Sequence, residues 1–276
     1  MGNDVLTAGS KRESQMYQLK YAYASDVGVV RPTNQDAIFA VADIVNCCSC
    51  GLFCIADGMG GLSEGEYAAS VAVQAMENWW ATKLKSLLAT SQHNQLHRNI
   101  IYAEFASVFD AVNKTLAQRA AEINSRIGTT CSVLLILNNT YYIAHSGDTR
   151  IYANQKRFLG NSQFTNLTVD HTWAVDHVGK LSDAEIRSHP KRNRLTSCLG
   201  VFDSPRIFNA TGNIYKSCVF LLCTDGLYRV IDKKALSKMI TKQDNLEILT
   251  NEMINMSVAQ GTTDNISVIV VRFEKE

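Results

Sequence analysis

Apolar residues recur along the chain in two rhythms. Alternating or continuous apolar runs of strand length occupy Tyr17 to Ala24, Ala37 to Ala42, Leu52 to Ala56, Thr130 to Leu137, Tyr141 to His145, Arg150 to Ala153, Pro205 to Ala210, Val219 to Cys223 and Ile266 to Phe273. Helical spacing marks Glu64 to Leu88, where Ala68, Val71, Ala72, Ala75, Met76 and Trp79 share a face, then Ile100 to Ile123, Lys233 to Ile240 and Asn245 to Ser257. Asn138 and Asn139 read as a turn that tolerates positive φ, and short connections predict an antiparallel meander from Thr130 to Ala153. The polar stretch from Asp170 to Arg194 holds a short helix near Ser182 to Arg187 and reads as a surface flap.

Strands grouped by hairpin turns, with helices inserted in pairs between them, predict an α+β fold of layered antiparallel sheets covered by helices, not a doubly wound parallel sheet. A chain of 276 residues, 46% hydrophobic, can bury a full core. One domain is expected over 17–276, with a flap at about 170–200, preceded by a polar extension over 1–16. Lys and Arg (27) nearly cancel Asp and Glu (26), so neither a nucleic-acid stripe nor a membrane-surface face is expected. The first residues lack an apolar run, no later run would cross a bilayer, and Leu6 stands where a myristoylation signal on Gly2 wants Ser or Thr; a cytoplasmic protein is expected. Eight cysteines then read as reduced thiols, and the cramped group Cys47, Cys48, Cys50 and Cys54 as loop or buried thiols in preference to a zinc site.

Candidate chemistry lies on aspartates that share one local setting, an apolar strand before them and a glycine or small polar residue after. Asp57 ends Phe53 to Ala56 and precedes Gly58, Asp225 follows Val219 to Cys223 and precedes Gly226, Asp148 follows Gly147, and Asp264 precedes Asn265 before the last strand. Singly, each suits an ordinary turn. Converging, they would repel one another unless hard cations neutralised them, and Asp oxygens without a histidine cluster suit Mg2+ or Mn2+. Glycine after Asp57 is expected to turn the chain sharply and let a backbone carbonyl reach a metal.

The segments SDVGVVRPTNQDA, IADGMGG, GTTCSVLLI, AHSGDTRIY, LLCTDGLY and GTTDNISVIVV, in this order from Tyr21 to Phe273, make the chain resemble the protein phosphatase 2C family of metal-dependent serine/threonine phosphatases, in its compact bacterial form. The resemblance implies a four-layer αββα sandwich of two antiparallel sheets flanked by helix pairs, with the metals at one edge. It implies two Mn2+ or Mg2+ ions bridged by Asp57, with Asp225, Asp264 and the Gly58 carbonyl as further ligands. Asp148 is then associated with a third, weaker ion, and Asp36 supports the cluster through water. Arg31 matches the arginine that holds substrate phosphate, a role suited to a guanidinium that can clamp two oxygens. The implied reaction is hydrolysis of phosphoserine and phosphothreonine in proteins by a metal-activated water, reversing a serine/threonine kinase.

Two positions depart from the family pattern. Gln35 stands where a glutamate is frequent, and Met59 stands where many eukaryotic members carry a histidine that protonates the leaving group. Rival readings are weaker. Cys223 and Arg229 have the spacing of thiolate phosphatases but lack the preceding histidine and glycine-rich anion loop. Neither Asp57 nor Asp225 sits in the paired DxD of haloacid-dehalogenase enzymes, and retention of Asp57, Asp225 and Asp264 argues against an inactive phosphoprotein binder. His145, His171 and His189 read as packing or loop residues, since the six histidines lack metal-ligand spacing.

Overall fold

The structure, a computed structural model, describes residues 17–45, 47–60, 64–90, 98–156, 162–214 and 217–275. The expected extension over 1–16 lies outside the described residues, as does Gly61. One sheet is built from β1 (Tyr17–Asp26), β11 (Ile266–Lys275), β10 (Cys218–Cys223), β7 (Arg150–Lys156) and β8 (Ser162–Asn166), in that spatial order. The other runs β2 (Asp36–Val45), β3 (Cys48–Met59), β5 (Cys131–Leu137), β6 (Thr140–Ser146) and β9 (Phe208–Asn213), with the two-residue β4 (Gly128–Thr129) beside the end of β3. Every pair between named strands is antiparallel.

The central strands are apolar on both faces because each face meets a different layer. In β3, Phe53 and Ile55 point between the sheets, while Leu52, Cys54 and Ala56 meet helices α1 (Glu64–Trp79) and α3 (Arg98–Glu122). In β11, Ile269, Val271 and Phe273 enter the inter-sheet core, while Val268 and Val270 meet α7 (Lys233–Lys242) and α8 (Leu246–Ala259). Three apolar cores between four layers result, the αββα sandwich expected. Tyr21 on β1 and Phe53 on β3 meet edge to face at 5.5 Å, as do Tyr141 on β6 and Phe220 on β10, and both pairs lock one sheet to the other.

The helix α1 continues through a π-helical turn, Trp80–Leu84, into α2 (Lys85–Thr90), so the expected single helix is one run with a wider turn inside it. The expected meander needs correction: β5 and β6 pair as a hairpin, but β7 leaves them for the other sheet. Gly147, at φ 118°, makes the turn between β6 and β7 sharp enough to change layers, and Asp148 rides on that turn. Short one-turn elements escaped the periodicity altogether: α4 (Trp173–Asp176) and α6 (Asp225–Tyr228), together with the strand β8.

The expected flap is more firmly anchored than a loose loop. Leu199 pairs with Thr129 at the sheet edge, Thr172 bridges to Leu195, and Arg206 grips Asp176 through two bonds of 2.9 and 3.1 Å. Within it α5 (Asp183–Ser188) begins with a capping box, the Ser182 hydroxyl accepting from Glu185 N–H while the Glu185 carboxylate accepts from Ser182 N–H. Trp173 is stacked between the rings of His177 and His189 at 3.9 and 3.7 Å.

Candidate active site

Strand register places the first acids. Asp36, the first residue of β2, stands opposite Asp57 on β3. The Asp57 backbone is fixed on its other side, its N–H donating to the Thr130 hydroxyl at 2.9 Å and its carbonyl accepting from Thr130 N–H at 2.9 Å and from the Thr129 hydroxyl at 3.1 Å. The second sheet contributes at the same edge: β10 ends one residue before Thr224, Asp225 opens α6, and Asp264 precedes β11. Thr224 joins the two sheets, its hydroxyl accepting from Ser267 N–H at 3.0 Å and donating to Asp36 Oδ2 at 2.9 Å.

These carboxylates feel one another. Burial raises the pKa of Asp57 well above the usual carboxylate range, and the charges of Asp36, Asp225, Asp148 and Asp264 raise it further. Burial likewise pushes Asp36 and Asp148 up to about 7, and raises Asp225 against the opposing pull of Arg229. Asp225 Oδ1 is buried and lacks a hydrogen-bond partner among the described residues. No group of three or more His, Cys, Asp or Glu side chains closes around one point among the described residues. Hard divalent cations that keep several waters do not require such a closed shell, and an all-oxygen set of mutually repelling carboxylates with one orphaned oxygen fits Mg2+ or Mn2+.

Gly58 does not turn the chain as expected; β3 runs on to Met59. Its glycine is required instead because a Cβ there would collide with the Gly65 carbonyl oxygen at the start of α1. Arg31 is half-exposed and donates to Asp264 Oδ2 at 2.9 Å. Gln35 turns its amide toward the carbonyl of Gly60 at 3.4 Å and packs on Gly65, so it supports the glycine segment after Asp57. The Met59 sulfur lies 4.0 Å from that of Cys198 in the flap. Asn34 shapes its turn, its side-chain oxygen accepting from Asp36 N–H at 3.1 Å.

Asn265 was met in the sequence only as the neighbour of Asp264, whereas His145 and His171 were expected to pack. Asn265, almost fully buried, accepts from Gln35 N–H at 2.9 Å and donates to the carbonyls of Val27 and Thr33 at 2.8 and 3.0 Å, tying the Arg31 loop to β11. His171 Nδ1 accepts from Gly147 N–H at 3.2 Å, and its ring lies 5.1 Å from that of the buried His145, whose Nδ1 is 2.7 Å from the Ser132 hydroxyl. These two histidines pack beneath the turn that presents Asp148, and burial lowers their pKa values, to about 4 for His171 and about 3 for His145. The thiolate reading fails on geometry: Cys223 is fully buried among apolar side chains, burial raises its pKa, and Arg229 reaches Asp225 instead.

Comparison with known proteins matches residues 31–261 to the family described as protein phosphatase 2C. The protein phosphatase PhpP of Streptococcus pneumoniae is 27% identical over 262 residues, which cover 94% of this chain and 99% of PhpP. Among solved structures, the S. agalactiae serine/threonine phosphatase aligns with a TM-score of 0.78 at 23% identity, covering 92% of this chain and 99% of that one. The catalytic domain of the serine threonine protein phosphatase PstP, in complex with two manganese ions, aligns with a TM-score of 0.72 at 23% identity over 94% of this chain and all of that one.

Proposed function

The chain belongs to the protein phosphatase 2C family, and from that premise we propose that it hydrolyses phosphoserine and phosphothreonine in proteins, with Asp57, Asp225, Asp264 and the Gly58 carbonyl holding two Mn2+ or Mg2+ ions. The observation that carries this reading is the meeting of Asp36, Asp57, Asp225 and Asp264, from both sheets, at one edge, where burial and then neighbouring carboxylates raise the pKa of the first three. When bound, the ions supply an activated water for attack on phosphorus and offset charge on the phosphoryl oxygens.

The remaining work falls to the chain. Asp36, held by Thr224, supports the cluster from its rear. Arg31 exchanges its contact with Asp264 for the substrate phosphate, where its fork can bind two oxygens. The methionine at position 59 cannot donate a proton, so the leaving serine or threonine oxygen takes its proton from water or from another residue at the site. The protein acts in the cytoplasm against the product of a serine/threonine kinase. Among the described residues, no helix is long and apolar enough to cross a membrane.

Replacement of Asp57 by asparagine tests the assignment. It should lower metal-dependent hydrolysis of a phosphothreonine peptide by about 100-fold or more while raising the melting temperature of metal-free protein, because an amide avoids the cost of burying a carboxyl that must take up a proton on folding. A folded variant that keeps its turnover would sink the proposal.

A further inference from the structure

The loop 27–33, between β1 and β2, is pinned to the acidic edge at several points. Asn265 donates to the carbonyls of Val27 and Thr33, which closes the loop at both ends, and beyond it Asn34 donates to the Ser25 hydroxyl at 2.7 Å. Asp26 Oδ1 accepts from Gly28 N–H at 2.7 Å, and Gly28 lies so close to the Asp264 carbonyl that a Cβ would come within 2.6 Å of its oxygen. Arg31 reaches the same residue, its guanidinium 2.9 Å from Asp264 Oδ2. Pro32 fixes its own φ and keeps Arg31 out of the helical region, which stiffens the tip. On this tip Val29 and Val30 are 67% and 61% exposed, and no other two exposed large apolar residues adjoin in sequence among the described residues.

We propose that Val29 and Val30 receive an apolar side chain that flanks the phosphorylated residue, so that this chain favours phosphoserine and phosphothreonine with an aliphatic or aromatic neighbour close in sequence. This rests on the reading of Arg31 as the residue that binds substrate phosphate. Consecutive Cα atoms lie ~3.8 Å apart and an extended peptide advances ~3.3 Å per residue, so a phosphoresidue held by Arg31 brings its near neighbours within reach of the two valines. Covering the valines removes apolar surface from water. The contact costs little order, because the loop is already pinned and β-branched side chains have few rotamers to lose. A charged neighbour gains nothing there, since it is desolvated against aliphatic carbon without a partner.

Initial rates with Mn2+ on phosphothreonine peptides test the proposal, with leucine, serine or aspartate placed in turn at each of the three positions before and after the phosphothreonine. For wild type, kcat/KM should be about tenfold higher with leucine than with serine at one or more of these positions, and lowest with aspartate. Val29→Ser with Val30→Ser should bring the leucine-to-serine ratio to about one. Val29→Lys with Val30→Lys should favour aspartate over leucine, an inversion that mere loss of loop order does not produce. Thermal melts establish that each variant is folded. A wild type indifferent to the neighbour would overturn the inference, as would a serine variant that slows on all peptides alike and keeps the wild-type ratio, or a lysine variant that still prefers leucine. Wild type that hydrolyses none of the peptides overturns the phosphatase reading itself and this inference with it.

Discussion

Burial first, and the charges of neighbouring carboxylates after it, push Asp57 toward its neutral form, and strand pairing sets Asp36 directly across from it. That pressure comes from tertiary structure, yet its sources were legible one residue at a time, since each aspartate ends an apolar run. Asn265 was less legible. It stood out only as the neighbour of Asp264, because the groups it bonds lie 230 to 238 positions away in sequence. Asn265→Ala should cost about 1–3 kcal/mol in a urea melt by leaving Gln35 N–H and two carbonyls unpaired, and should lower kcat/KM for phosphopeptide, since the Arg31 loop loses its tie to β11. Unchanged stability and kinetics would mean that the loop is held by other contacts. Gly58 teaches a related lesson: the glycine was visible, but its reason, the approach of Gly65, belongs to a helix that the local pattern could not place.

At the scale of elements, long periodic segments were read well. The helices at Arg98–Glu122 and Leu246–Ala259 and the strands at Cys218–Cys223 and Ile266–Lys275 begin or end within a few residues of their expected bounds. One-turn helices fared worse, because four residues do not establish a period. The meander was misread because short connection length predicts pairing, while the turn at Gly147 sends β7 to the opposite sheet. The segment at 170–200 touches the site through Cys198 and Met59 and through Leu199 beside Thr129, while Gly179 and most of α5 are exposed. We expect this outer part to choose among phosphoproteins. Replacing residues 177–192 with a short Gly/Ser linker should change kcat/KM for a phosphoprotein by about tenfold, ~1.4 kcal/mol, and leave a small aryl phosphate unaffected. Equal changes for both substrates would contradict this.

For the whole molecule, the four layers explain why the site lies where it does. Two sheets locked by a shared core bring the ends of β3 and β10 and the start of β11 to one edge. Thr224 and Asn265 then join the sheets' loops around the acids. Periodicity alone predicted layered antiparallel sheets; the four-layer order came from the resemblance of the six segments, since pairing between distant strands leaves no local signal. Metal dependence is the most direct consequence of this acidic edge. Hydrolysis of a phosphothreonine peptide should require Mn2+ or Mg2+, stop on chelation, return when the ion is restored, and persist in Cys223→Ser. Hydrolysis that survives the chelator, or that is lost with Cys223, would contradict it.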